Sequence, residues 1–268
     1  MSTGFGGGID VGSTTTKAVI VDDWPAIVGS HVVYSGTDFV AASRMAWEEA
    51  LNHAGLREEE VPCVISTGYG RKNVEFARRT VTEISCHGRG SLFFFQGPIT
   101  VVDIGGQDNK IVKLDHEGRR VSFKMNRKCA AGTGAFLEEM ALRLRVPPED
   151  LDGLARAADG EVTLGSYCTV FSATEVLEHI KAGHAVGDLV RGIYRSVIKR
   201  VLEMDTLTDT VILTGGVIEH HPFLAEMIRE HTECQVRIPP HPQIAGALGA
   251  ALYALDDVLE EVRAQTEA

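Results

Sequence analysis

Apolar and polar positions follow two rhythms along this chain, and the order of the rhythms occurs twice. Gly7–Asp22 reads as two strands joined by a tight turn: GGIDVG is apolar and closes on glycine, KAVIVDD is an apolar strand, and Ser13-Thr14-Thr15-Thr16 lies between them. Ala41–Ala54 has helical periodicity, with Met45, Ala46, Ala50 and Leu51 on one side. Val61–Ser66 is a short apolar strand ending in Thr67-Gly68-Tyr69-Gly70, and Val74–Arg79 continues as a helix. Together these make a first α/β unit of about 95 residues, an ordinary domain size.

At Ile99 the pattern restarts. ITVVDIGGQDNKIVKLD is again an apolar strand, an acidic residue, a glycine turn, a polar stretch and a second apolar strand. Ile9-Asp10-Val11-Gly12 matches Val102-Asp103-Ile104-Gly105, and Lys17–Asp22 matches Lys110–Asp115. Such an internal repeat is the mark of one supersecondary unit used twice. A third glycine turn follows the strand at Val211–Val217, and helices are predicted at Gly134–Leu144, Ser172–Ala182, Asp188–Met204 and Ile244–Arg263. The last begins QIAGALGAAL, small enough to pack closely on a neighbouring element. The expected fold class is α/β in two related domains: residues 1–98 with a C-terminal helix at 247–268, and residues 99–246.

Bulk properties narrow the function. A hydrophobic share of 44 % is enough for a core, and a net charge of −11 excludes the basic footprint of non-specific nucleic-acid binding. No apolar run approaches the roughly 18 residues of a membrane span. The N-terminus lacks the charged-then-apolar layout of a signal peptide, so a cytoplasmic location is expected. The cysteines, at positions 63, 86, 129, 168 and 234, are odd in number and form no CxxC pair. That argues against a disulfide framework and against a local metal knuckle.

Two hairpins with an aspartate at each turn suit a phosphate chain. Glycine admits close approach of backbone to ligand, and consecutive N–H groups at such a turn form an anion-binding concavity. Candidate contacts are Gly12, Ser13, Thr14, Thr15, Thr16 and Lys17 in the first hairpin and Gly105 and Gly106 in the second. Lys17 and Lys110 either reach phosphates or stand as solvated strand lysines. Asp10 and Asp103 can hold a hydrated Mg²⁺ that bridges phosphate oxygens, and Gln107 and Asp108 are candidates for orienting the attacking water. Gly215 and Gly216 let an adenosine lie against backbone, and Gln243 is a candidate for the adenine end. Glu138 is a candidate for the ribose or an ordinary surface glutamate. Gly132-Thr133-Gly134 joins the candidate nucleotide contacts but is only a fragment of a GxGxxG turn, and no GxxxxGK[ST] loop exists.

Gly8–Lys17, Asp103–Asp108 and Thr214–Val217 resemble the two phosphate motifs and the adenosine motif of the superfamily of acetate and sugar kinases, actin and heat-shock chaperone ATPases. The resemblance implies two ribonuclease H-like domains with an interdomain cleft for ATP or ADP and Mg²⁺. Four segments are more specific: SCHGRG at Ser85–Gly90, DIGGQD at Asp103–Asp108, NRKCAAGTG at Asn126–Gly134 and CTVFS at Cys168–Ser172. Over Gly8–Ala254 the chain resembles the activators of 2-hydroxyacyl-CoA dehydratases, the archerases, in the BadF/BadG/BcrA/BcrD ATPase family. That family includes the ATPase subunits of benzoyl-CoA reductase.

The resemblance implies a homodimer in which Cys129 and Cys168 of each protomer bind one shared [4Fe–4S] cluster. Ferredoxin or flavodoxin would reduce it, and ATP hydrolysis would drive one electron to the dehydratase or, alternatively, to benzoyl-CoA reductase subunits. A small-molecule kinase of this fold would need sugar-binding insertions for which the length leaves little room, and an ATP-sensing module would not need the cysteines. The residues agree with a cluster: Cys129 and Cys168 precede helical segments, where a helix N-terminus favours a thiolate, and two thiolates per chain make a cubane's four in a twofold dimer. Cys63, Cys86 and Cys234 read as small buried hydrophobes, and His87 as a structural hydrogen-bonding histidine. Gly88, Asn109, Arg127 and Ala135 depart from the residues frequent in the activators.

Overall fold

The structure, a computed structural model, describes residues 4–165, 168–208 and 210–266. Residues 1–3 and 267–268, the ends of the expected first domain, lie outside the described residues. Tertiary contacts divide the chain into two compact units. One is Met1–Gly97 with Asp115–Arg120 and Ile244–Ala268; the other is Pro98–Leu114 with Val121–Gln243. The chain runs β1 (Phe5–Val11), β2 (Thr15–Asp22), β3 (Ile27–Tyr34), α1 (Phe39–Ala54), β4 (Cys63–Thr67), β5 (Arg79–Thr80) and α2 (Glu83–Phe94). It continues through β6 (Ile99–Ile104), β7 (Asn109–Leu114), β8 (Arg120–Asn126), α3 (Gly134–Leu144), α4 (Leu151–Arg156), α5 (Thr169–Lys181) and α6 (Val186–Met204). It ends with β9 (Thr210–Thr214), α7 (Gly216–His220), α8 (Pro222–Glu230), β10 (Gln235–Arg237) and α9 (Ala245–Thr266).

The first sheet has the order β3-β2-β1-β4-β5 and the second β8-β7-β6-β9-β10, so both units share one topology. In each, the opening strand pairs antiparallel with its hairpin partner and parallel with the strand beyond, β1 with β2 and β4, β6 with β7 and β9. This is the ribonuclease H-like arrangement, and it makes the sequence repeat a repeat of architecture.

Strands buried on both faces explain why the apolar runs are continuous rather than alternating. On one side of the first sheet, Ile9, Val11, Ala18 and Ile20 pack on Ala46, Trp47 and Ala50 of α1. On the other, Val19 and Val21 pack on Ala247, Leu248, Ala251 and Leu255 of α9. Glycine sets that second spacing. A Cβ on Gly8 would collide with the Ala247 carbonyl, and one on Gly249 with the Cys86 carbonyl, so α9 lies directly on β1 and α2. The QIAGALGAAL stretch thus packs as its small residues predict. In the second unit, Val102, Ile104 and Leu213 pack on Phe136 and Met140 of α3 and on the apolar stripe Val190-Ile193-Tyr194-Val197 of α6. Full burial of Phe136 contributes on the order of 2–3 kcal/mol.

Two local expectations fail. Val74–Arg79 is not a helix: after a 3-10 turn at Arg71–Asn73 the chain makes a second tight turn, Ala77 N to Val74 O at 3.2 Å, and then enters β5. The amides of Arg78 and Val81 donate to Val64 O (2.8 Å) and Ser66 O (2.9 Å), and so short a segment forms no helix against sheet pairing. Ser85–Gly90 lies in the interior of α2, where Gly90 faces the Ala245 carbonyl at a distance that a Cβ would close. Met45 on α1 points outward, 56 % exposed, and Trp47 fills the core in its place. No helix among the described residues is long and apolar enough to cross a membrane.

One buried histidine makes the second unit acid-sensitive. His221 Nδ1 lies 2.8 Å from Tyr194 Oη, and burial, aided by neighbouring His220, pushes the imidazole from an ordinary 6.5 down to about 4. The unfolded chain therefore takes up a proton that the folded one refuses. His221 costs nothing above pH 6.5, and stability falls by about 1.4 kcal/mol per pH unit as pH drops from there towards 4. Between pH 7.5 and 5 the thermal midpoint should fall by roughly 4–8 °C on this account, and a His221→Gln variant should lose most of that dependence.

Candidate functional site

Each unit carries the same hairpin, built by the same register. Asp10 faces Lys17 across β1 and β2, and Asp103 faces Lys110 across β6 and β7. Each turn is closed by an equivalent backbone bond, Gly12 N to Thr15 O at 3.0 Å and Gly105 N to Asp108 O at 2.9 Å.

In the first hairpin the hydroxyls divide into two kinds. Ser13, Thr14 and Thr15 are half-buried at the tip. Thr16 is fully buried, and its hydroxyl lies 2.9 Å from Ser35 Oγ, inside the unit rather than at the tip. Ser35 in turn donates to Gly12 O at 2.7 Å, so the residue just after β3 braces the turn. Lys17 Nζ donates to Thr15 O (3.2 Å) and stands 3.8 Å from Asp10 Oδ2. Asp10 is buried beside Gly68, whose φ of +88° and lack of a Cβ leave room for the carboxylate.

In the second hairpin the charges are tighter. Lys110 Nζ donates to Asp103 Oδ2 at 3.0 Å and to Asp108 Oδ1 at 2.9 Å, with the lysine side chain only 5 % exposed. Thr214 Oγ1 donates to the other oxygen, Asp103 Oδ1, at 3.0 Å. Asp103 is thereby fixed from both sides, while Asp108 is partly open and Gln107 exposed. Lys110 is therefore no solvated strand lysine. The identical seven-residue spacing of Asp10–Lys17 and Asp103–Lys110 was the sequence signal for the pair. No comparable signal marks Ser35, which lies just past the end of β3.

The remaining candidates gather around this hairpin. Gly134 N and Ala135 N, at the start of α3, donate to Gly105 O (2.9 Å) and Gly106 O (2.7 Å). Thr133 is buried, and its hydroxyl donates to Ala130 O at 2.6 Å. Gly215 has φ +100°; a Cβ there would strike Ile104 O and come within 2.9 Å of Asp103 Oδ1. Gln243 packs its amide against Gly216, and Glu138 lies exposed on α3.

Cys168 is exposed and is the N-cap residue of α5. Cys129 is half-buried in the loop before α3, five residues short of the helix, so the expectation that it sits at a helix start holds for Cys168 alone. Asn126 Nδ2 donates to Cys129 O at 3.0 Å and steadies that loop.

Residues 8–254 match the BadF/BadG/BcrA/BcrD ATPase family. The chain belongs to that family. Among BadF/BadG/BcrA/BcrD ATPases and their relatives, it is 41 % identical over 256 residues to the 2-hydroxyisocaproyl-CoA dehydratase activator of Clostridioides difficile, covering 94 % of this chain and 96 % of that one. It is 38 % identical over 251 residues to the (R)-2-hydroxyglutaryl-CoA dehydratase activating ATPase of Acidaminococcus fermentans, covering 92 % and 95 %. The solved activator of the 2-hydroxyisocaproyl-CoA dehydratase from Clostridium difficile, with bound ADPNP, superposes with a TM-score of 0.90 at 37 % identity, covering 98 % of each chain. The matched residues 8–254 include both hairpins, Cys129 and Cys168.

Removing the buried cation of this BadF/BadG/BcrA/BcrD ATPase should be costly. Lys110→Met leaves two carboxylates without their partner and should lower stability by about 3–5 kcal/mol. Lys17→Met, whose pair is longer, should cost distinctly less. Equal losses in thermal unfolding would contradict the difference between the hairpins.

Proposed function

We propose that this chain is the ATP-hydrolysing activator of a 2-hydroxyacyl-CoA dehydratase. Two copies would hold one [4Fe–4S] cluster through Cys129 and Cys168 of each. The observation that carries the reading is that the loop bearing Cys129 runs into the α3 amides bonded to the β6–β7 hairpin, joining a phosphate-type turn to an accessible thiol. The names of the relatives support the dehydratase as the partner.

The donor chemistry fits the cluster. A cubane takes four thiolates. Among the described residues no group of three or more His, Cys, Asp or Glu side chains could hold a metal, so one chain offers an incomplete set that a twofold copy would complete. Burial pushes the thiols of Cys63 and Cys86 up, Cys86 to about 12, and leaves them protonated inside the first unit. Cys234 Sγ is engaged with Leu207 O at 3.4 Å. We therefore take the half-buried Cys129 and the exposed Cys168 as the ligands. Beside Cys168, Val170, Phe171 and Leu177 of α5 are exposed, an apolar surface that a second chain would cover. When bound, the cluster supplies one-electron reduction of the partner, with ferredoxin or flavodoxin as donor.

The chain's own residues would do the nucleotide work. Backbone N–H groups at Gly12–Thr14 and Gly105–Gln107 would receive phosphate oxygens, with the Ser13 and Thr14 hydroxyls beside them. Asp103, held by Lys110 and Thr214, fits a hydrated Mg²⁺ met through water, and Asp10 occupies the equivalent place in its own unit. Exposed Gln107 and partly open Asp108 would orient the attacking water. Gly215, Gly216 and Gln243 would receive the nucleoside.

Anaerobic purification with iron and sulfide counting tests the reading. About four irons per dimer are expected, lost in Cys129→Ser while ADPNP binding persists. An iron-free anaerobic dimer with full ATPase activity would overturn it.

A further inference from the structure

Three hydrogen bonds join the β6–β7 hairpin to the stretch from the Cys129 loop to the start of α3, and one of them comes from a side chain to which the reading above gives no task. Asn109 opens β7 and is 1 % exposed. Its Nδ2 donates to Gly132 O at 2.8 Å. The other two bonds are main-chain, Gly134 N to Gly105 O and Ala135 N to Gly106 O. They end at the start of α3, whereas the Asn109 bond reaches into the loop itself, three residues from Cys129.

We propose that Asn109 is a positioning residue that passes a displacement of the hairpin to the loop carrying Cys129. This rests on the reading that the hairpin binds nucleotide phosphates and Cys129 ligates the cluster.

Three observations support it. The loop is stiff: Thr133 N and Oγ1 both reach Ala130 O, at 3.0 and 2.6 Å, and Asn126 Nδ2 reaches Cys129 O at 3.0 Å. A push at Gly132 is therefore carried to Cys129 rather than absorbed. Gly132 is also confined. Its φ is +81°, and a Cβ would lie 3.0 Å from the Arg200 side chain on α6 and 3.3 Å from Asn109 Nδ2. The loop is thus wedged between hairpin and helix, with little room to shift independently of the hairpin. Finally, Asn109 Oδ1 is buried and accepts no hydrogen bond among the described residues. A buried amide with one half unpaired is held by a single bond and has an acceptor to spare, so a shift of the hairpin can re-pair it instead of breaking it.

Hydrogen exchange of the anaerobically purified full chain, with and without ADPNP, tests this. In the wild type, ADPNP should slow exchange across residues 104–108 and, about fivefold or more, across 128–133. In Asn109→Ala the protection at 104–108 and at Gly134–Ala135 should persist, while that at 128–133 should fall below about twofold. A purely structural role for Asn109 would loosen all three segments together. Should the alanine variant fail to fold, Asn109→Leu, close in volume and without a donor, is read the same way. Wild-type protection at 128–133 in a folded variant overturns the proposal. So does protection of the hairpin without any at 128–133 in the wild type, which leaves the nucleotide reading standing. Absence of protection at 104–108 in the wild type would instead remove the nucleotide reading itself.

Discussion

A buried ammonium shared by two carboxylates fixes the second hairpin. Lys110 is almost wholly out of water, and so is Asp103. Neither could stay there charged without the other, because an unpaired buried charge costs several kcal/mol. The pair therefore forces β6 and β7 into one register, and that register places Gly105, Gly106 and Gln107 at the turn. Thr214 extends the constraint to β9, which brings the Gly215–Gly216 turn against the same aspartate. The first hairpin has the same pair in a looser form, at 3.8 Å.

From that hairpin the structure runs outward in short steps. The carbonyls of Gly105 and Gly106 take up the first amides of α3, donors that a helix start leaves without intrahelical partners. The loop just before them holds Cys129. Ala173 and Val176 of α5 share a core with Phe136 and Leu137 of α3, so the helix capped by Cys168 is packed on the helix that the hairpin anchors. The hairpin thus anchors the helix that follows Cys129, and that helix packs on the one that begins after Cys168.

Much of this was legible in the sequence because the repeat is strong. Two continuous apolar strands with an aspartate before the glycine and a lysine seven residues after the aspartate specify the hairpins, and the small residues of QIAGALGAAL specify the close approach of α9. What escaped was set by tertiary partners. The chain turns after Arg71–Asn73 and runs out into β5 because β4 has an open edge, not through its own pattern. The SCHGRG segment is helical because α9 rewards glycine at Gly90, where composition alone suggests a turn. Lys110 was visible as a residue but not as a buried one, since burial depends on Asp103 and Asp108 closing over it. Thr16 reads like its neighbours in a run of hydroxyls, yet Ser35 draws it inward.

On the proposed function, nucleotide at the hairpins and a centre held by the cysteines would exchange free energy. Reduction potential measured on the anaerobic protein, with and without saturating ADPNP, tests it most directly. If oxidised and reduced forms bind the nucleotide with different affinities, the potential must move by about 59 mV for each tenfold difference. The account predicts a shift of at least that order. An unchanged potential under conditions where ADPNP is demonstrably bound would contradict it.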